Sequence, residues 1–136
     1  LDLIRFLAGS QIVDFKLTKV PDNFINSDSF TFTFSFLDGS IGTIHYFTNG
    51  HKSFPKERVE VFLSNKVIQI NNFRNIKFFG WRNKLPKFSL SQDKGTYNAF
   101  AEFIKIIKSP NYLEPIPFED IKNVSLSSFE INETIT

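Results

Sequence analysis

Residues 30–36 read FTFTFSF, and that run constrains the chain more than any other. Successive side chains of a strand point to opposite faces, so Phe30, Phe32, Phe34 and Phe36 share one face while Thr31, Thr33 and Ser35 share the other. Four rings on one face require a second layer to cover them. Asp38-Gly39 directly after the run is a tight-turn signal that favours positive backbone angles, and it predicts a hairpin with residues 40–47 as the partner strand. Residues 11–20, QIVDFKLTKV, alternate well enough to add a neighbouring strand, with the turn-rich PDNFINSD as the connection.

Three further strands are predicted in ERVEVFL, KVIQIN and FRNIKFF, joined by turns at Ser64-Asn65 and Asn71-Asn72 as an antiparallel meander. Helical spacing of Leu1, Ile4, Leu7 and Ala8 ends at Gly9, which suits a left-handed helix stop. A second helix over residues 96–108 places Phe100, Phe103, Ile104 and Ile107 on one face, with Asp93 as a candidate N-cap and Lys105 and Lys108 favouring its C-terminal end. Pro110, Pro115 and Pro117 mark a connection. A last helix is predicted from about Phe118, burying Ile121, Val124, Ile131 and Ile135. Strands in succession flanked by helices give an α+β fold, one domain over residues 1–136, expected as a single mostly antiparallel sheet with helices on one face. The other face is expected to stay open for oligomerisation. Ile41 and Phe47 oppose Ile44 and Tyr46, and Phe73 and Phe79 oppose Ile76 and Phe78, so these strands read as apolar on both sides.

Composition narrows the function classes. The net charge of +2 comes from 16 basic and 14 acidic residues spread along the chain, which gives no footprint for nucleic acid or a membrane surface. No apolar run approaches the roughly 18–20 residues of a membrane span. With no cysteine there is neither a disulfide framework nor a thiolate metal site, which fits a cytoplasmic location. The two histidines, His45 and His51, lack partners at metal-ligand spacing, so no metal site is expected. His45 reads as a packed or interface side chain of a strand. The absence of methionine and a start at Leu1 inside a helix suggest a fragment of a longer chain.

LDLIRFLAG, SFTFTFSFLDGSIGTIHYFTNG, HKSFPKERVEVF, SQDKGTYNAFAEFIKII and PIPFEDIKNVS together resemble the C-terminal domain of a Gfo/Idh/MocA-type NAD(P)-dependent oxidoreductase. The resemblance implies a two-domain parent acting on a sugar, sugar-nucleotide or polyol with NAD or NADP, and a sheet face that packs against another subunit as a homo-oligomer. No Gly-x-Gly-x-x-Gly turn follows a strand, so the N-terminal Rossmann domain is absent from this chain, and no cofactor-binding or catalytic residue is expected within it. The fragment alone is expected to be inactive.

In the family, an Asp/His pair at the start of the first helix manages the hydroxyl proton. Asp2 and the apolar residues after it match that segment, and the histidine would fall two residues before Leu1. Asp2 also reads as a solvated helix-start carboxylate. His51 and Lys52 sit in a loop after a strand, where Lys52, Lys56 and Arg58 can receive hydroxyls or an anionic group, or form a solvated basic loop. Asp93 and Lys94 read either as cap and neighbour or as the rim of the substrate pocket. The expected substrate-side residues are therefore Asp2, His51, Lys52, Asp93 and Lys94. The alternative from a different class is a non-catalytic oligomerisation or ligand-binding domain of the same architecture.

Overall fold

The computed structural model of this chain describes residues 1–20, 29–92, 95–109 and 113–135. In chain order the elements are α1 (Asp2–Ala8), β1 (Ile12–Lys19), β2 (Phe30–Phe36), β3 (Ile41–Tyr46), β4 (Arg58–Leu63), β5 (Lys66–Asn71), β6 (Asn75–Phe79), β7 (Lys87–Phe88), α2 (Thr96–Lys108) and α3 (Phe118–Ile135). Every strand pairing is antiparallel, so the fold is α+β. The expectation of a single sheet is corrected, because β1-β2-β3 and β4-β5-β6-β7 form separate sheets. Residues 47–57 contain Gly50 and Pro55 and join no ladder; proline has no N–H to give one. The chain divides accordingly into Leu1–His51 with Glu114–Thr136, and Lys52–Leu113.

In the first unit, Phe32, Phe34 and Phe36 are buried with Ile12 and Ile131, and Phe34 is fully enclosed at 0% exposure. The rings of Phe15, Phe30, Phe32 and Phe34 meet at centroid separations of 5.2–6.4 Å, edge-on or tilted except for the stacked Phe32–Phe34 pair. α1 covers this face at close range. A Cβ on Gly42 would lie 2.5 Å from Ile4 Cδ1 and 2.9 Å from Ile4 Cγ1, so glycine is needed where the helix meets β3.

The edge strand β1 departs from simple alternation. Ile12 pairs with Phe36 but Asp14 with Ser35, which leaves Val13 as a bulge. Ile12 and Phe15 are three residues apart and would face opposite sides of a regular strand. The bulge puts both on the core side, with Ile12 buried and Val13 exposed.

The open face of this sheet is polar along most of its length, with the apolar residues expected on it, Ile41 and Phe47, exposed at its ends while Ile44 packs against the core. Thr33 lies opposite Thr43 and Lys16, and Thr31 opposite His45 and Thr18, with Ile41 opposite Ser35 at the end. The hairpin turn also differs from the two-residue form. Leu37, Asp38 and Gly39 form a three-residue loop, closed by Phe36 N–H to Ser40 O at 3.0 Å and Gly39 N–H to Phe36 O at 2.9 Å, and within it only Gly39 has positive φ, at 85°.

α3 buries a different stripe from the one its apolar spacing suggests. Ile131 and Ser127 are buried and Val124 is half-buried, while Ile121 is 50% exposed; the side chain of Ile135 lies outside the described residues. Two polar anchors set the rotation of the helix. Asp120 Oδ2 pairs with Arg5 Nη2 of α1 at 2.5 Å, and the Asn123 amide grips β1 by accepting from Ile12 N–H at 2.9 Å and donating to Ile12 O at 3.0 Å. With positions 120, 123 and 127 facing inward, position 121 turns about 100° away.

In the second unit, the β4–β5 turn falls on Ser64-Asn65 as expected, with φ of 46° and 63°. The β5–β6 turn falls one residue later than expected, on Asn72-Phe73 with φ of 51° and 49°. Val59, Val61, Ile68, Ile70, Ile76 and Phe78 share one face of the four-stranded sheet, half-buried. Among the described residues, every buried hydrophobic side chain lies in the first unit. α2 has its expected span, but Gly95 occupies its N-cap, and Phe100, Phe103, Ile104 and Ile107 are exposed instead of covering a sheet. Helical periodicity reports which residues share a face, not what lies opposite that face.

Candidate functional site

Asp2 opens α1 and its carboxylate is exposed on the first turn. His51 is exposed at the end of the first unit, and Lys52 is exposed at the start of the second. Asp93 and Lys94 lie outside the described residues. Within their own units, neither Asp2 nor Lys52 forms a hydrogen bond or ion pair among the described residues. Asp2, His51 and Lys52 are therefore solvent-facing side chains. Arg58, expected as an anion receiver, is committed elsewhere: its Nη2 and Nε donate to Glu60 Oε1 at 2.6 and 3.1 Å, and Gln69 Nε2 donates to the same oxygen at 2.8 Å. Hydrogen bonds from Arg58 and then Gln69 hold the Glu60 carboxyl below its ordinary range.

What keeps Asp2 in place is built from its own helix. Ile4 sits over Gly42, and Arg5, one turn from Asp2, reaches Asp120 with the two side chains only 11% and 18% exposed. Arg5 Nε has no hydrogen-bond partner, so the guanidinium is held by one carboxylate in a largely dry environment.

His45 stands on the open face of the three-stranded sheet. Its Nδ1 lies 2.9 Å from Thr31 Oγ1, and its ring stacks on Phe47 at 5.8 Å. The β2–β3 register puts Thr31 directly opposite His45, which makes the contact a cross-strand pair. No carboxylate completes a nucleophile-base-orienter set there among the described residues.

A cleft of about 210 Å³ that sequence reasoning missed runs along the seam of β1 and α3. Ile12, Val13, Asp14 and Phe15 form one wall, and Asn123, Leu126, Ser127 and Glu130 the other. The available signal was the polar residues at positions 123, 127 and 130, one helical face of α3 where an apolar stripe was expected. The bulge at Val13 has no counterpart signal in the alternation of β1.

Among the described residues no group of three or more His, Cys, Asp or Glu is placed to hold a metal ion, and no helix is long and apolar enough to cross a membrane. No glycine-rich turn joins a strand to a helix among them; Gly95 before α2 stands alone, so the described residues do not fit a dinucleotide pyrophosphate. Comparison with known proteins finds no matching family model, no matching curated protein and no matching solved structure.

Proposed function

We propose that this chain is the substrate-side and assembly half of an NAD(P)-dependent oxidoreductase acting on a sugar, a sugar-nucleotide or a polyol. In this reading the cofactor belongs to a nucleotide-binding domain of a longer, cytoplasmic parent. The observation that supports it best is Asp2. Its carboxylate is free on the first turn of a helix that Ile4 and Arg5 fix to the sheet and to α3, and a substrate hydroxyl needs such a fixed acceptor. Lys52 and His51 belong to the same substrate side in this proposal, with Asp93 and Lys94 at its rim.

The test has two arms. Calorimetry of the 136-residue chain with NADH should give no saturable heat, and micromolar binding would overturn the division of labour. In a parent carrying the nucleotide-binding domain, Lys52→Ala should raise KM for substrate with cofactor affinity unchanged, by a loss of about 1.5–3 kcal/mol for a charge-assisted contact. Unchanged kinetics would return Lys52 to solvent.

A non-catalytic assembly domain is the second reading, and exposed apolar side chains favour it. Phe62 and Phe79 flank Val67 on one face of the four-stranded sheet, and both rings are exposed. A second copy of the chain is proposed to cover such a surface. Light scattering should then report a dimer or larger species that persists in high salt, and Phe62→Lys should shift it towards monomer. A monodisperse monomer at micromolar concentration removes the assembly role.

A further inference from the structure

The two sheets leave four edge strands, and three of them carry features that keep an edge from pairing with another chain. β1 has the bulge at Val13, the charges of Asp14, Lys16 and Lys19, and the Asn123 amide on Ile12. β4 carries Arg58 and Glu60, and β7 is only two residues long. β3 has none of these. Its sequence, IGTIHY, contains no Lys, Arg, Asp, Glu or Pro, and its register with β2 is unbroken. No strand among the described residues takes up its outer side.

The phase of the ladder fixes what that side offers. Phe36 N–H donates to Ser40 O, so the closely hydrogen-bonded pairs of β2 and β3 fall on Gly42, Ile44 and Tyr46, whose backbone groups turn inward. Ile41, Thr43 and His45 therefore direct both N–H and C=O outward. α1 marks the same side. Arg5 points to α3, which is anchored on β1, and Ile4 rests on Gly42 of β3. Leu3 and Leu7 are each two positions from Arg5, about 200° around the helix, so they project away from α3 and over the free edge. They are 42% and 38% exposed. A strand that covers this side is apolar towards α1 and polar on its opposite face.

β3 itself has that pattern, with Ile44 and Tyr46 on the helix side and Thr43 and His45 on the other. We propose that β3 pairs antiparallel with β3 of a second copy across a two-fold axis at Thr43, joining the two three-stranded sheets. Ile41 then lies opposite His45 of the second copy, every outward N–H meets a C=O, and each face continues its own chemistry across the junction. The Gly42 residues of the two copies would stand about 8 Å apart, two residues along the strands and one strand spacing across, against the roughly 8–10 Å between packed helices. The two α1 helices, each seated on its own Gly42, thus meet through Leu3 and Leu7. The edge spans about 20 Å and the two layers about 20 Å, so each copy would cover on the order of 500 Å², just under the roughly 600 Å² a side at which specific interfaces begin, and micromolar association is expected. Since the other edges are blunted, assembly closes at two copies. This surface is separate from that around Phe62, and the proposal does not rest on the oxidoreductase reading.

The 136-residue chain has no cysteine, so Thr43→Cys introduces a single thiol. On the axis the two Cα atoms would be about 5.5 Å apart, within the roughly 4.4–6.8 Å that a disulfide spans. Under oxidised glutathione this variant should give a covalent dimer, whereas Thr33→Cys, on the same open face but in the central strand, should not. Light scattering of the unaltered chain should show a monomer–dimer equilibrium. Thr43→Pro should weaken it about tenfold or more, because the substitution removes an outward N–H and no bond to β2. Exchange of the Ile41, Thr43 and His45 amides should slow as concentration rises. Protection independent of concentration would assign the edge to a partner within the same chain and overturn the proposal, as would a monomer throughout the micromolar range. Equal cross-linking of Thr33→Cys would show face-to-face packing, and loss of the Thr43 cross-link in Phe62→Lys would assign the contact to the four-stranded sheet; either result overturns it.

Discussion

Asp120→Asn tests how the first unit is held together. The ion pair spans 2.5 Å between Arg5 Nη2 and Asp120 Oδ2, with side-chain exposures of 11% and 18%. Removing one member of a fully desolvated pair costs about 3–5 kcal/mol, and of an exposed pair about 0–1 kcal/mol. At this exposure the substitution should fall between the two limits, at about 2–3 kcal/mol, because the amide keeps the shape and one acceptor but leaves the guanidinium charge uncompensated. Arg5 Nε has no partner to share that charge. Replacing both residues, Arg5→Met with Asp120→Leu, should recover most of the loss, since no orphaned charge remains. Trp81 lies in the other unit, so the assay is native-state hydrogen exchange at amides of β1 and β2. If Asp120→Asn alters the slowest exchange there by less than about 0.5 kcal/mol, or if 1 M salt abolishes the difference, the pair is a solvated contact and the reasoning fails.

Gly42→Val should destabilise the first unit by about 1–3 kcal/mol through overlap with Ile4, and Ile4→Ala in the same chain should relieve part of it, as thermal melts can show. Asn123→Ala, which leaves the N–H and C=O of Ile12 without partners, should cost about 1–3 kcal/mol; Asn123→Asp should be comparably poor because a carboxylate cannot donate to Ile12 O, and urea denaturation compares them. The Asp38 carboxyl is held below its ordinary value of 3.8 by the Ser40 N–H and then the Ser40 hydroxyl. Its folded-state pKa is depressed, so its contribution is present above pH 3.8 and lost as pH falls through the lower folded value; Asp38→Asn should flatten the stability profile in that acid window.

Legibility in the sequence followed the range of the interactions. The alternation of Phe30 to Phe36 identifies β2 and its core face, because a period of two is a property of neighbouring residues alone. α2 was legible to the residue for the same reason, whereas the exposure of its apolar stripe depends on what lies across from it. The later β5–β6 turn was hidden because it puts Phe73, a bulky side chain, in the left-handed region that sequence rules reserve for glycine and asparagine. Position 121 of α3 carries an isoleucine that faces outward, since Asp120 and Asn123 fix the helix rotation through partners more than 100 residues away. Of the candidate residues, Asp2, His51 and Lys52 were legible as surface groups and nothing more. The cleft along β1 and α3 was not legible, because it joins two segments from opposite ends of the chain.

The bulge at Val13 makes chain length itself a constraint at this edge. β1 runs in two phases, one before Val13 and one after it, and the single unpaired residue converts the first phase into the second. Deleting Val13 would remove the bulge and leave Ile12 two residues from Phe15, so regular alternation would keep both on the core side with Ile12 still opposite Phe36. Length changes at an edge strand are ordinarily absorbed by the adjoining loop. Here a one-residue deletion between Ile12 and Phe15 is absorbed by loss of the bulge, whereas a two-residue deletion makes Ile12 and Phe15 adjacent and sends one of them to the open face, so tolerance in this stretch is set by the parity of the change.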